Sequence, residues 1–381
     1  MSTYEFSVPC LFGLEGIAGD ELRRLDIPNV RVENGRVLFS GEARDMAKAN
    51  ICLRTGERVL IVLADFPAKT FEELFQGVYH ANLEDFIPKD GSFPVKGHCL
   101  NSQLMSVPDC QAIVKKAASR RLGEKYGVSW LPETGAKYQL QFSIMNDRVQ
   151  LYLDTSGQGL HKRGYRAVGV EAPLRETLAA ALIMLTPWHK DRIFVDPFCG
   201  SGTFPIEAAM MAANIAPGMN REFTAEQWEN LIPKKEWYMA IEEANDNICM
   251  DIETDIQGFD LDENVIKIAR QNAVNAGVDK LIHFQARDVR QLSHAKKYGF
   301  VITNPPYGER LEEKEALPAL YTALGQQFAK LDSWSAYVIT SCTDIEKYFG
   351  RKADKNRKIY NGMLKTYFYS FLGPKPPKKN V

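Results

Sequence analysis

A chain of 381 residues is longer than one hydrophobic core usually supports, so two or three domains are expected. Its 47 basic residues balance 48 acidic ones, so any surface for nucleic acid must be a local patch. Seven cysteines without a C-x-x-C pair argue for reduced thiols; with no signal-like start and no bilayer-length apolar run, a cytoplasmic protein without a membrane partner is expected.

The part up to about Gly157 reads as an α+β assembly. Gly13 to Leu25 is amphipathic and helical, and Val30 to Ser40 has the pattern of a hairpin turning at Asn34-Gly35. A helix is expected from about Pro108 to Tyr126. Ile113, Ala117, Leu122 and Tyr126 would lie on one face, and Lys115, Lys116, Arg120, Arg121 and Lys125 on the other. Tyr138, Leu140, Phe142 and Ile144, then Val149, Leu151 and Leu153, alternate about an Asn146-Asp147 turn and predict a second hairpin.

The basic run Leu160 to Arg166 marks a junction, and from Leu174 onward strands and helices alternate. Strands are expected at Arg192–Val195, Ile256–Phe259, Leu281–Gln285, Phe300–Thr303 and Ala336–Ser341. Helices are expected at Thr203–Ala213, Asn264–Ala276 and Leu317–Leu331. Such alternation implies a parallel sheet with crossover helices. Lys358 to Phe371, broken at Asn361-Gly362, reads as an antiparallel hairpin closing its edge.

Between the first of these strands and its helix stands Asp196-Pro197-Phe198-Cys199-Gly200-Ser201-Gly202-Thr203. Ligands of doubly wound sheets sit at this end, where glycines admit a close backbone and a helix N-terminus faces them. Thr203 is expected to cap that helix and Pro205 to fit its first turn. Pro205 occupies the place of the last glycine of a dinucleotide fingerprint, and no GK[ST] loop exists, which disfavours NAD and nucleoside triphosphates. Asp260 ends the next strand, where a carboxylate can accept both ribose hydroxyls, and Asp288 follows the third, within reach of an adenine amine. A lone strand-end aspartate usually caps a turn. Three in succession beside a glycine loop point instead to an adenosyl ligand, and their negative field suits a sulfonium such as S-adenosylmethionine. Cys199 reads as packing within that loop, and the six scattered histidines predict no metal site.

Asn304-Pro305-Pro306-Tyr307 follows the strand at Phe300–Thr303. The prolines force an abrupt, rigid exit and offer carbonyls without N–H donors. The Asn304 side-chain oxygen and the Pro305 carbonyl could then grip both hydrogens of an exocyclic amine, with Tyr307 stacking on its ring.

Together, Asp196 to Thr203 and Asn304-Pro305-Pro306-Tyr307-Gly308-Glu309-Arg310 resemble the class I amino-methyltransferases. More narrowly, they resemble the THUMP-containing RNA guanine-N2 methyltransferases, including the bacterial 23S rRNA enzyme. Phe93-Pro94-Val95-Lys96-Gly97, the basic helix and Leu153-Asp154-Thr155-Ser156-Gly157 are similar to a THUMP domain preceded by a ferredoxin-like piece. Leu160 to Arg166 and Ala172-Pro173-Leu174-Arg175-Glu176-Thr177-Leu178 are similar to that family's lead-in.

The resemblance implies a ferredoxin-like piece at 1–43, a THUMP module at 44–157, and a class I (Rossmann-like) domain at 158–381 with a mostly parallel seven-stranded sheet. Residues 217–247 stand as an insertion in the last. It implies S-adenosylmethionine as cofactor, held by Asp196, Pro197, Phe198, Cys199, Gly200, Gly202, Thr203, Asp260, Asp288, Glu176 and Thr177. Asn304, Pro305, Pro306 and Tyr307 would be the catalytic residues. RNA is the implied partner, ribosomal before transfer RNA, with Lys115, Lys116, Arg120, Arg121, Lys125, Lys162, Arg163 and Arg166 as its contacts. Two readings stand beside it: an adenine-N6 methyltransferase on DNA or RNA, because Asn-Pro-Pro-Tyr serves that amine too, and an RNA-binding assembly factor with a vestigial pocket.

Overall fold

The computed structural model describes residues 3–166, 174–308 and 311–377, with backbone alone for 311–314. Ala172, Pro173, Glu309 and Arg310 of the sequence motifs lie outside the described residues. The chain divides into two compact units, one of residues 1–10, 18–160 and 222–243, the other of 11–17, 161–221 and 244–381.

The first unit is built on one twisted sheet. Its elements are β1 (Tyr4–Pro9), α1 (Glu15–Arg24), β2 (Arg31–Glu33), β3 (Arg36–Gly41), α2 (Ala43–Cys52), β4 (Leu60–Pro67), α3 (Phe71–Tyr79), β5 (Val95–Leu100), α4 (Val107–Tyr126), β6 (Leu140–Met145) and β7 (Arg148–Asp154). The strand order is β2-β3-β1-β4-β7-β6-β5. Because β4 pairs with β1 (Phe6 opposite Ile61) and with β7 (Leu60 opposite Asp154), the ferredoxin-like piece and the THUMP module share a single sheet. The β2–β3 turn places Gly35 at positive φ, and the β6–β7 turn places Asn146 and Asp147 there, the twist a tight hairpin requires. In Asp154-Thr155-Ser156-Gly157 the buried Asp154 carboxylate accepts the N–H groups of Ser156 (3.0 Å) and Gly157 (3.1 Å) and pairs with Arg58 at 2.5 Å. That motif is therefore a turn that closes the sheet.

Residues 222–243 belong to this unit, not to the catalytic one into which the sequence inserts them. Trp228 is fully buried, stacks on Tyr138 at 5.0 Å and donates its indole N–H to the Lys137 carbonyl at 2.8 Å. Burying so large a ring stabilises by roughly 3 kcal/mol, which anchors the excursion.

The second unit contains α5 (Glu176–Met184), β8 (Phe194–Asp196) and α6 (Thr203–Ala212). After α7 (Lys234–Asp246), which leads back from the excursion, come β9 (Ile256–Asp260), α8 (Glu263–Asn275), β10 (Ile282–Ala286) and β11 (Phe300–Thr303). The chain ends with α9 (Leu311–Phe328), β12 (Ser335–Thr340), α10 (Ile345–Phe349), β13 (Lys355–Asn361) and β14 (Leu364–Phe371). The sheet order is β10-β9-β8-β11-β12-β14-β13, parallel except for β14. This is the expected Rossmann-like class.

Continuous apolar strands bury both faces. Phe194, Phe300 and Ile302 pack in a core with Ile206 and Ala209 of α6 and Ile266 and Ala269 of α8. Val195 and Val301, one residue along, pack in the opposite core with Tyr321 and Leu324 of α9 and Phe349 of α10. Helix α9 starts earlier than expected and runs through Pro318. Among the described residues no helix is long and apolar enough to cross a membrane.

Candidate active site

Chain order reverses between β8 and β11, neighbouring parallel strands with Val195 opposite Val301. A reversal of this kind opens a crevice beyond the carboxyl ends of the strands. The glycine loop leaves β8 there, and Asn304-Pro305-Pro306-Tyr307 leaves β11 beside it. The two exits are bonded directly: the Thr303 hydroxyl donates to the Asp196 carboxylate at 2.5 Å.

The glycine loop is held from several sides. Asp196 accepts the Phe198 N–H at 3.1 Å, the Cys199 N–H donates to the Phe259 carbonyl at 2.8 Å, and the Gly202 N–H donates to the Cys199 carbonyl at 2.8 Å. Asp260 accepts the Gly200 N–H at 3.0 Å through one oxygen and the Asp262 N–H at 3.1 Å through the other. Buried Asn272 of α8 donates to the Ser201 carbonyl at 3.0 Å. Burial, with the nearby Asp260 charge, pushes the Asp196 carboxyl up to about 7. Burial also pushes the Cys199 thiol well up, which leaves it unreactive. Pro197 is buried and Phe198 half-buried.

Thr203 does not cap α6. Gly202 is the N-cap residue, at φ 88°, and the Thr203 hydroxyl instead accepts from Arg166 at 3.0 Å. Arg166 also donates to the Ser201 hydroxyl at 2.9 Å and pairs with Glu176 at 2.7 Å. Glu176 and Thr177, in the first turn of α5, are both buried. Arg166 was expected at the RNA surface; the structure instead bonds it to the glycine loop and to Glu176. Arg163 is likewise corrected. It is buried and faces the buried Glu207 at 3.4 Å, which also accepts from the Tyr165 hydroxyl at 3.2 Å. A lone buried carboxylate would be costly, so the guanidinium turns inward. Of the three cations in that run, only Lys162 is exposed.

Asp288 caps the turn after β10 through the Arg290 N–H at 2.8 Å, and its carboxylate pairs with the Arg290 guanidinium, which holds it below the ordinary range. On the other loop, the Tyr307 hydroxyl donates to the Asn304 side-chain oxygen. The Pro306 carbonyl accepts from the Tyr321 hydroxyl at 3.2 Å, and Tyr321 also meets the Thr340 hydroxyl at 2.6 Å. Pro305 is buried and Pro306 exposed.

On α4 the expected RNA contacts meet carboxylates. Lys115 pairs with Glu133 (2.6 Å), Arg120 with Glu124 (2.9 Å) and Lys125 with Glu84 (3.2 Å), and Arg121 also pairs with Glu84. Lys116 is exposed.

Sequence reasoning missed Thr303, Asn272, Tyr321 and the clamping role of Arg166. Thr303 carried a signal, a polar side chain ending a fully buried strand. The others carried none, because their partners are distant in sequence. Among the described residues no group of three or more His, Cys, Asp or Glu side chains could hold a metal. A cavity lined by Arg192, Thr254, Asp255, Lys280 and Lys296 lies at the opposite, amino ends of the strands.

Three family profiles match. One described as "RMKL-like, methyltransferase domain" covers residues 163–369. The chain belongs to this methyltransferase family. The profile for the "RlmL ferredoxin-like domain" matches 5–60 of this RMKL-like methyltransferase, and that for the "THUMP domain" matches 68–154. The chain is 44% identical over 381 residues to the Bacillus subtilis (strain 168) protein named "Putative RNA methyltransferase YpsC", covering 100% of this chain and 98% of that one. It is 32% identical over 389 residues to "Ribosomal RNA large subunit methyltransferase K/L" of Psychromonas ingrahamii. That match covers 99% of this chain and 51% of the relative, so the chain spans about half its length.

Among solved structures, "SMU.472, a putative methyltransferase complexed with SAH" superposes with TM-score 0.93 at 42% identity, covering 99% of this chain and 100% of that one. A Listeria monocytogenes protein described as a "predicted N6-adenine-specific DNA methylase" gives TM-score 0.93 at 48% identity, covering 98% of this chain and 97% of that one.

The cofactor of the RMKL-like methyltransferase is S-adenosylmethionine, and the glycine loop suits it. A Cβ on Gly202 would meet Phe284 at 2.9 Å, so that glycine faces protein, whereas a Cβ on Gly200 would meet nothing within 4 Å. Gly200 thus presents bare backbone to open space above the strands. Each Asp260 oxygen accepts one N–H and keeps a lone pair for a ribose hydroxyl.

Proposed function

We propose that this methyltransferase acts on RNA, in the cytosol, and methylates the exocyclic N2 amine of a guanine, in 23S ribosomal RNA before transfer RNA. The observation that carries the reading is the pairing of β8 with β11, which sets the Asn-Pro-Pro-Tyr exit against the glycine loop at the reversal of the sheet. The THUMP match and the names of the Bacillus and Psychromonas relatives support RNA as the substrate class.

S-adenosylmethionine supplies a methyl group already activated as a sulfonium. The work left to the protein is positioning. Asp260, Glu176 and Thr177 line or brace the adenosyl side, and the residues from Asp196 to Thr203 form its floor. An aromatic amine is a weak nucleophile because its lone pair is conjugated into the ring. Asn304 and the Pro305 carbonyl accept the two N–H groups and turn that lone pair toward the methyl carbon. The Asn304 oxygen already accepts the Tyr307 hydroxyl, which fixes its orientation, and its second lone pair serves the amine. Tyr307 offers its ring to a base that must be unpaired or flipped out. Of the cations first assigned to RNA, Lys116 and Lys162 are exposed and stand outside the ion pairs that occupy their neighbours.

A second reading, adenine-N6 methylation, draws on the same amine-binding loop and is the activity for which the Listeria protein is named. Transfer of a tritiated methyl group to ribosomal RNA, transfer RNA and DNA, followed by nucleoside digestion, tests both. N2-methylguanosine in ribosomal RNA is the expected product. N6-methyladenosine or N6-methyldeoxyadenosine as the labelled nucleoside would overturn the proposal.

A further inference from the structure

Among the described residues, a dense cluster of positive charge with a single acid lies in the C-terminal hairpin. Between residues 351 and 365 stand Arg351, Lys352, Lys355, Arg357, Lys358 and Lys365 against a single acid, Asp354, which pairs with Arg351 at 2.8 Å. All six cations are exposed. The contrast with α4 is direct, since there the corresponding side chains meet Glu84, Glu124 and Glu133.

Register puts the charges in an ordered pattern. Lys358 pairs with Tyr367 and Tyr360 with Lys365, so these four side chains share one face of the ribbon. They alternate as a lattice: the Lys358 ammonium lies 5.0 Å from the Tyr360 ring centre and that of Lys365 lies 5.4 Å from the Tyr367 ring centre. Among the described residues the near neighbours of Lys358 and Lys365 are tyrosine rings, not carboxylates. On the opposite face Ile359 and Phe368 are buried in the core beside Tyr337, while Lys355 and Arg357 of that face stay exposed, so the ribbon is held from behind at its apolar positions.

The hairpin also has a definite position in the second unit. Thr340, the last residue of β12, pairs with Tyr367, and β14 continues back to Leu364. Three further residues at about 3.3 Å each carry the ribbon roughly 10 Å past the carboxyl edge of the sheet. That is the edge from which the glycine loop and Asn304 project. Lys365, Tyr360 and the fully exposed Met363 at the tip therefore stand beyond the same edge of the sheet as the proposed active site, β14 two strands and β13 three strands from β11.

From this juxtaposition we infer that the β13–β14 hairpin grips single-stranded RNA flanking the target base, Lys358 and Lys365 contacting phosphates while Tyr360 stacks on a base. Alternating cations and exposed rings on a rigid ribbon are what a flexible polyanion with stacking bases requires. The inference rests on the RNA reading above and adds a further group of contacts to it.

The test is fluorescence anisotropy of the full chain with a labelled oligouridine, repeated across salt concentrations. The double variant Lys358→Glu/Lys365→Glu should bind about 10- to 100-fold more weakly, and its salt slope should fall by about 1.4, the share of two single-strand phosphate contacts. Tyr360→Ala should weaken binding at least about fivefold with the salt slope unchanged. S-adenosylhomocysteine affinity, measured by calorimetry on the same samples, should stay at the wild-type value.

Wild-type RNA affinity and slope in the double variant would overturn the inference, as would equal losses for RNA and S-adenosylhomocysteine, which mark a damaged fold. Retained RNA affinity in variants of an enzyme that does methylate RNA sinks the hairpin and leaves the function standing. A wild-type protein that prefers duplex DNA or a protein partner to RNA sinks both.

Discussion

Two loops leave neighbouring strands at the same end of the second unit's sheet, and they are built on opposite plans. The glycine loop is fixed by bonds from several elements: Asp260 of β9, Asn272 of α8 and Arg166 of the lead-in each hold one or more of its groups. The Asn-Pro-Pro-Tyr loop relies on covalent stiffness, with Tyr307 bonded to Asn304 within it and Tyr321 bracing Pro306 from outside. Under the proposed function the difference has a physical reason. An adenosyl ligand is the same in every turnover, so its cradle gains from being formed beforehand. A target base must be admitted and released, so its loop keeps lone pairs uncommitted and holds its shape through proline.

The largest effect expected from this contrast is on Asn304. Asn304→Ala should cut turnover by about 100- to 1000-fold, the scale seen when one preorganised polar group is lost, while S-adenosylhomocysteine binds within about twofold of wild type. Comparable losses in both would place Asn304 in the cofactor cradle and erase the contrast.

The buried Asp196 joins the two loops and should make stability depend on pH. Its carboxyl is raised from 3.8 to about 7. The folded protein therefore holds a proton there that the unfolded chain has released. The stabilisation is complete below about pH 4 and is lost as pH rises toward 7, by on the order of 2–4 kcal/mol. Asp196→Asn, which stays neutral, should flatten the fall in urea midpoint across that interval. A variant with the wild-type slope would show that Asp196 ionises freely in the fold.

Arg166→Ala removes the clamp and leaves Glu176 buried without its cation. A loss of about 10- to 100-fold in S-adenosylhomocysteine affinity follows from one broken buried pair. Arg166→Lys should recover part of it, since an ammonium can meet Glu176 but cannot also span Ser201 and Thr203.

These roles differ in how visible they are in the chain. The strands of the second unit and most of its helices were legible because each is a local pattern, α5 and α10 excepted, and the Asp196 to Thr203 and Asn304 to Tyr307 motifs were legible because every part is contiguous. Arg166 was not. Within Lys162-Arg163-Gly164-Tyr165-Arg166 the residue types are alike, and what separates them is whether a carboxylate waits in the core. Glu207 and Glu176 are supplied by other helices, so the run reads as one basic patch while its two arginines turn inward. The cations of α4 likewise have partners that the helix pattern does not show, since Glu84 and Glu133 reach them from outside the helix. The excursion at 222–243 was invisible for a related reason. Trp228 finds Tyr138 across a long stretch of chain, and no local signal assigns a tryptophan to one core over another.

The finest test separates the two glycines of the preformed loop. Gly200 and Gly202 both lie at positive φ, 52° and 88°, so alanine at either costs about 1 kcal/mol in backbone strain. Their surroundings differ. A Cβ at 202 meets Phe284 at 2.9 Å and Ala269 at 3.1 Å, so Gly202→Ala adds overpacking and should lower the urea midpoint further. A Cβ at 200 meets no protein atom within 4 Å and points where the cradle is open. Gly200→Ala should therefore cost only the strain in stability, yet weaken S-adenosylhomocysteine several-fold, because the methyl group occupies space the ligand needs. Should Gly200→Ala leave ligand affinity untouched, that open side would face away from the cofactor, and the cradle would have to be redrawn around the Asp260 side of the loop.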